Sequence, residues 1–222
     1  MACWNSADLC AVRFSLLDTD GSPLCGEPDG TVYTMTPISL QVTPTVDAGE
    51  TVTTRTGCGD ICYTRTDADV DTGADLVLTL CNHDPEFIAL AVGAEVLEVN
   101  GEPGYAKGIQ VAGAVEAHFW TKTFDGSARV AAPNSWWHFV YPNVTWSLGA
   151  KTLGRDSLQV VLNGTAGPSA SIGNGAFGDI PTTVDPFYEA VWTAEDIPDP
   201  DVSPYNQNDL SCGFIDTPDC SS

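Results

Sequence analysis

The sequence predicts a mostly β fold with one short helix, and three observations carry that reading. Thr, Val, Gly and Pro are frequent while Lys is rare, a composition that suits pleated strands and tight turns. Several segments alternate residue character with a period of two. Helical periodicity is scarce, and a single stretch carries both a start and a stop signal for a helix. At 222 residues and 43% hydrophobic content, the chain can build a real core in one large or two small domains.

The elements follow in chain order. Residues 1–30 hold Cys3, Cys10 and Cys25. Val12, Phe14 and Leu16 alternate there with Arg13, Ser15 and Leu17 as a strand. Asp18 to Pro23 is a turn. It superficially resembles a calcium loop, but Gly21 falls at loop position four and position twelve is Asp29. Thr31–Thr36, Ile38–Val42 and Thr51–Thr56 read as strands, the last two separated by a turn at Asp47–Glu50. Leu76, Leu78 and Leu80 alternate with Val77, Thr79 and Cys81, which gives a strand with one strongly buried face. Asp84 can cap the next segment, and Pro85 suits the first helical position. Phe87, Ile88, Ala91 and Val92 fall at helical spacing and Gly93 stops the helix, so a helix is expected over about residues 85–92.

Beyond the helix, Glu95–Val99 is a short strand and Asn100–Gly104 a turn. Ile109–Thr123 is a long β stretch whose second face carries Glu116, His118, Trp120 and Lys122, the look of an edge or interface strand. No nucleophile stands at a recognisable spacing from Glu116 and His118, so no catalytic role is expected there. Trp136, Trp137, His138, Phe139, Tyr141 and Trp146 put aromatics on both faces of one strand, implying burial on both. Leu158–Leu162 is a strand closed by Asn163-Gly164, and the Gly- and Ser-rich Ser169–Gly178 reads as a mobile loop or arm. Tyr188–Trp192 is a last strand. From Asp179 onward there are ten acids and no Lys or Arg. The division expected is a β domain over residues 1–195 and an acidic arm over 196–222, pinned through Cys212 or Cys220.

Eight cysteines allow 105 pairings. Cys58, Cys62, Cys81 and His83 form C-x3-C-x18-C-x-H, a donor set for zinc whose spacing fits structural zinc knuckles poorly. The alternative is that Cys58 and Cys62, or one of them with Cys81, are buried thiols or a disulfide. Asp67, Asp69, Asp71 and Asp75 lie in an acidic stretch, read as a solvated or lumen-facing loop. The net charge of −22, from 30 acids and 8 bases, argues against a protein that grips duplex nucleic acid, since phosphates must be neutralised by basic contacts. No apolar run is long enough to span a bilayer, so membrane insertion is not expected, and Met1–Asp8 has neither the basic start nor the apolar stretch of a signal peptide. Nucleophile elbow, phosphate loop and dinucleotide fingerprint are all missing. Neither an enzyme nor a cofactor is expected.

One resemblance extends this reading. The run Ser39-Leu40-Gln41-Val42-Thr43-Pro44, the acidic turn, the Thr-rich strand, Gly57-Cys58-Gly59-Asp60-Ile61-Cys62 and Leu78-Thr79-Leu80-Cys81-Asn82-His83-Asp84-Pro85-Glu86 resemble major tail tube proteins of long-tailed (siphovirus-type) phages infecting actinobacteria. Val12–Asp18, followed by Gly21, Pro23 and Gly26, is similar to that family's opening strand and turn. The likeness covers about residues 10–100. Where the family commonly places Lys or Arg between the second and third cysteines, this chain has Asp67–Asp75.

The resemblance implies a tail-tube-type β-sandwich or half-barrel with one flanking helix, extended loops and a C-terminal arm. It implies hexameric rings stacked into a virion tube, assembled in the host cytoplasm, through which double-stranded DNA passes without sticking. The partners implied are further copies of the chain, the tape measure protein, the tail terminator and the distal tail protein. On this reading the Cys58–Cys62–Cys81 region staples the helix to its strand pair. The rival expectation is a monomeric β module, either zinc-stabilised or binding carbohydrate on exposed Trp.

Overall fold

The computed structural model describes residues 7–19, 21, 31–34, 37–55, 58–59, 61–81, 84–108, 112–125, 130–153, 158–169 and 188–194. These form a mostly β fold whose main sheet curls into a half-barrel. The strands are β1 (Ala7–Leu16), β2 (Thr31–Thr34), β3 (Pro37–Asp47), β4 (Thr51–Arg55), β5 (Ile61–Thr66), β6 (Val70–Leu80), β7 (Glu95–Val99), β8 (Glu102–Ala106), β9 (Val115–Asp125), β10 (Val130–Leu153), β11 (Leu158–Ala166) and β12 (Ala190–Ala194). A single helix, α1 (Pro85–Val92), follows β6.

The main sheet runs β2-β1-β9-β10-β11-β6-β3, with β12 added to β10. Every pairing is antiparallel. The curl brings β3 back near β1. Strand β10 is the hub. Its first half pairs with β9 and β12, and its second half with β11. Register shifts between Tyr141 and Val144 and between Leu148 and Lys151 mark bulges, the device that lets a long strand bend with a curling sheet.

One face of the sheet holds the apolar core. Leu76, Leu78 and Leu80 meet Val160, Leu162, Val12, Phe14, Phe119, Tyr141 and Trp146, and α1 packs among them. Phe14 lies at the centre, with ring centroids 4.6 Å from Phe87 and 5.0 Å from Trp146. The helix sits as its sequence directs. The Asp84 carboxylate accepts from the backbone N–H groups of Glu86 and Phe87 at 3.1 and 3.2 Å, satisfying two of the donors a helix start leaves open. Gly93 ends it at φ 63°, a left-handed position that glycine takes without a Cβ penalty. Phe87 through Val92 are all buried, so the helix is enclosed beyond a single stripe.

Two hairpins stand off this body. Strands β4 and β5 pair only with each other, forming an arm inserted between β3 and β6. Its base is a tight crossing. Asp67 N–H donates to Glu50 O at 3.0 Å, Gly49 N–H donates to Asp69 Oδ1 at 2.8 Å, and Arg65 pairs with Asp67 at 2.6 Å. A Cβ on Gly49 would stand 1.8 Å from Asp67 O, so the crossing needs glycine. Strands β7 and β8 form the second hairpin, turned at Asn100-Gly101, both at positive φ, as a two-residue hairpin turn requires. Lys151 Nζ donates to Tyr105 Oη, joining that hairpin to β10.

Four expectations are corrected. The acidic stretch is not one loop. Residues 67–69 connect β5 to β6, while Asp71 and Asp75 already lie in β6, whose pairing with β3 starts at Val70. Asn163-Gly164 is no turn but mid-strand in β11, because β6 and β10 flank it on both sides. Gly164 is there for room: a Cβ would lie 2.7 Å from Trp146 Cε3 and Cζ3. The presumed turn over 100–104 ends at Gly101, and Pro103 sits in β8. Finally, β9 is neither edge nor interface strand, since β1 and β10 pair with its two sides. The C-terminal arm 196–222 and residues 170–178 lie outside the described residues.

Two substitutions test this packing. Gly164→Ala should cost about 1–3 kcal/mol through overpacking against Trp146, and Asp84→Ala about 1 kcal/mol through loss of the helix cap. Denaturant melts of the two variants measure both, and unchanged midpoints would contradict the packing described.

Candidate functional site

The period-two rule places Glu116, His118 and Trp120 on the face of β9 opposite Ala117 and Phe119. Register does the rest. Arg13 of β1 lies opposite His118, Ser15 opposite Glu116, and His138 of β10 opposite Trp120. The sheet therefore gathers a polar cluster on the face turned away from the apolar core. The cluster is not exposed. Arg13 retains 3% of its surface, His118 1%, and Glu116 and His138 none.

The contacts form a chain. Arg13 Nη2 lies 2.9 Å from His118 Nε2 and 3.3 Å from its Nδ1, so the guanidinium sits against both ring nitrogens. His118 Nδ1 stands 2.8 Å from His138 Nε2. Glu116 Oε1 lies 2.6 Å from His118 Nε2, but off the line of a ring N–H, so neither carboxylate oxygen receives an aligned hydrogen bond among the described residues. Trp120 stacks on His138 with centroids 4.4 Å apart and planes 16° apart, and on His118 at 5.7 Å. The Arg13 guanidinium lies 5.9 Å over the Trp120 ring, within cation–π range.

Burial dominates the electrostatics. It pushes the Glu116 carboxyl up to about 7, against a smaller opposing pull from the Arg13 charge. Burial also holds His118 and His138 well below the usual imidazole range, with Arg13 adding to both and His118 adding to His138. Both rings are thus neutral at physiological pH. Nearby, Tyr141 Oη donates to Glu189 at 2.5 Å, tying the segment before β12 to β10, and burial followed by that bond raises the Tyr141 hydroxyl. A buried acid beside two imidazoles has the elements of proton transfer, yet the near-zero exposure leaves no path for a substrate to touch it.

The sequence-derived candidates fall elsewhere. Cys58 and Cys62 are exposed free thiols at and beside the arm tip, and Cys81 is an exposed free thiol just past β6. The eleven residues of β6 alone put about 30 Å between the arm base and Cys81. No three His, Cys, Asp or Glu side chains converge as metal ligands among the described residues. The staple of Cys58, Cys62 and Cys81 is therefore not made, and the three do not form a zinc site together. His83, Cys212 and Cys220 lie outside the described residues. Asp67 and Asp69 serve the arm base, and Asp71 is exposed on β6. Asp75 lines an open groove of about 700 Å³ with Thr145, Ser147, Asn163 and Thr165. Trp120 and Trp146 are fully buried, so neither offers a sugar-stacking platform.

Sequence reasoning named Glu116 and His118 but missed Arg13 and His138 as their partners. The available signal was a lone Arg between Val12 and Phe14, since a buried cation requires an acid. Comparison with protein-family models and with curated proteins returns no match.

The shifts set a pH dependence. His118 and His138 are depressed on folding, so their contribution is present above about pH 6.5 and lost as pH falls. Glu116 is raised, so its contribution is full below its unfolded value of 4.5 and is lost as pH rises through about 7. Two groups outweigh one on the acid side. Stability should therefore drop by roughly 1–2 kcal/mol between pH 7 and pH 5, with little change between pH 7 and pH 8 from this cluster. His138→Gln should shrink that drop in thermal melts. A melting temperature with the same pH profile in both proteins would show that His138 is not buried neutral.

Proposed function

We propose that this chain is a structural virion protein that polymerises as stacked hexameric rings into the tail tube of a long-tailed phage, a conduit for double-stranded DNA. The observation that carries the reading is an open sheet edge. Strand β3 pairs with β6 on one side only among the described residues, and nine of its eleven residues are exposed. Ile38, Val42 and Val46 retain 45%, 37% and 49% of their surface. A long exposed edge is a template for another strand, and a half-barrel that joins edges with its copies closes into a barrel without edges.

Other features support it. The β4–β5 arm exposes Val52, Ile61 and Tyr63, apolar surface suited to a neighbouring copy. Cyclic rings use heterologous contacts, so each subunit needs two unlike surfaces; an edge strand and a projecting arm are unlike. The net charge of −22 repels phosphates, so DNA slides rather than adheres. Asp71 and Asp75 on β6, with Asp67 and Asp69 at the arm base, are the acids proposed for the lumen or for contacts between rings. The tape measure protein, tail terminator and distal tail protein are the partners that go with this role, and the host cytoplasm is the place of assembly.

Negative-stain electron microscopy of the concentrated protein at neutral pH and moderate salt tests the proposal. Hollow tubes or six-fold rings are expected. Val42→Asp, which places a charge on the open edge, should abolish them while leaving the far-UV spectrum of the subunit unchanged. Monodisperse monomers at all concentrations, or tubes indifferent to Val42→Asp, would count against it.

A further inference from the structure

We propose that the β4–β5 arm of one copy seats on an uncovered apolar row of β3 in a second copy, with Val52 and Tyr63 against Val42 and Val46 and the Arg55 charge toward Asp71.

Register assigns the row to its face. Leu40 and Val42 of β3 stand opposite Leu78 and Leu76 of β6, and Pro44 stands opposite Ala74. Residues directly opposite in an antiparallel pair share a face, so these three lie on the side of the sheet that holds the apolar core. The next step passes from Thr45 opposite Gly73 to Val46 opposite Asp71. The skipped residue is Thr72 of β6, so β3 keeps its alternation and Val46 stays in the row. Ser39, Gln41, Thr43 and Thr45 take the other face. The strand is therefore cleanly amphipathic, as a half-buried strand is. Its apolar side is not buried, however. Leu76 and Leu78 are shut from water, while Val42 and Val46 across from β6 retain 37% and 49% of their surface.

The arm has the matching character. Val52 pairs with Arg65 and Thr54 with Tyr63, which puts Val52, Tyr63 and Arg65 on one face. Thr51 and Thr66, with Thr53 and Thr64, form the other, their hydroxyls 3.2 and 3.5 Å apart. A lone two-stranded hairpin is marginally stable in water and gains from an apolar surface to pack on. Its own chain does not supply one. The three residues between β3 and β4 are tied to the returning chain at Gly49 and Glu50, and every residue of β4 and β5 is exposed.

Charge selects a second copy as the occupant. The chain has 30 acids and 8 bases. Arg55 and Arg65 are two of those bases, and neither β4 nor β5 contains an acid. The arm is thus an apolar and cationic projection on an acidic protein. The row on β3 ends among acids: Asp71 lies opposite Val46, and Asp47 is the next residue along the strand. Arg55 Nη1 donates to Gly59 O at 2.9 Å, which holds its charge near the arm tip. Opposite charges on two surfaces steer and orient their association. Each copy gives its arm to one neighbour and takes an arm from another, a head-to-tail contact. The inference rests on the self-assembly proposed above and adds which faces meet. Neither six-fold symmetry nor a tube is required by it.

Photo-crosslinking between copies tests the seat. Full-length chain carrying Tyr63→p-benzoylphenylalanine is mixed with an equal amount of ¹⁵N-labelled native chain, irradiated, and mapped by mass spectrometry. Crosslinks should join position 63 of the unlabelled copy to residues 40–46 of the labelled one. The reciprocal variant, Val46→p-benzoylphenylalanine, should reach β4 or β5 of the labelled copy, and it decides the question where the first variant fails to fold. Asp71→Lys in both chains sets like charges against the arm and should cut the yield about tenfold. Crosslinks confined to one chain, directed to another surface or missing altogether would overturn the seat, as would a yield indifferent to Asp71→Lys. Hollow tubes without this crosslink would keep the tube and reject the seat. Crosslinked open chains without rings or tubes would keep the seat and reject the tube.

Discussion

The structure depends on β9 being buried on both faces. On one side Val115, Ala117 and Phe119 meet the apolar core; on the other Glu116, His118 and Trp120 are equally shut from water. A strand carrying Glu and His into the interior must find partners there, because an unpaired buried charge costs several kcal/mol. Arg13 and His138 meet that demand from the strands on either side. A one-residue slip of β1 or β10 against β9 would send Arg13 or His138 to the core face and orphan Glu116. The polar cluster therefore specifies the register of three strands as firmly as the apolar face does.

With that centre in place, the rest of the sheet grows outward and becomes progressively more exposed. β11 and β6 have one buried face each, carried by Val160, Leu162 and the Leu76-Leu78-Leu80 row. β3, at the end, has almost none. The arm built from β4 and β5 is exposed on every residue. Such a gradient, from a doubly buried middle to a bare edge and a bare arm, makes poor use of apolar surface for an isolated subunit. It suits a subunit whose outer elements are to be covered by others, and this links the fold to the assembly proposed.

Much of the local structure was legible because it rests on contacts between near neighbours. Asp84-Pro85 starts α1 and Gly93 ends it, as expected, because caps and left-handed positions are satisfied within a few residues. β7 matched its expected span for the same reason, ending in the Asn100-Gly101 turn. Asn163-Gly164 misled because the pair is turn chemistry in isolation. What overrode it was Trp146, eighteen residues before Gly164, whose ring fills the space a side chain at Gly164 would need. Likewise the Asp-rich stretch reads as loop by composition, yet from Val70 it is paired along β3. Strand pairing over such distances is not carried in any short window.

By itself, the amino-acid sequence determined the class of this protein: mostly β, one capped helix, strongly acidic, with alternation that marks which side of each strand is apolar. Those are properties of composition and of residues a few positions apart. Only the tertiary structure decided that Glu116 and His118 lie inside rather than at an edge, that Arg13 and His138 are their partners, and that Cys58 and Cys62 stand far from Cys81. The physical reason is that strand order and register are set by the joint burial of residues more than a hundred positions apart. Arg13 and His118 are separated by 105 residues and become neighbours only once β1 has paired with β9.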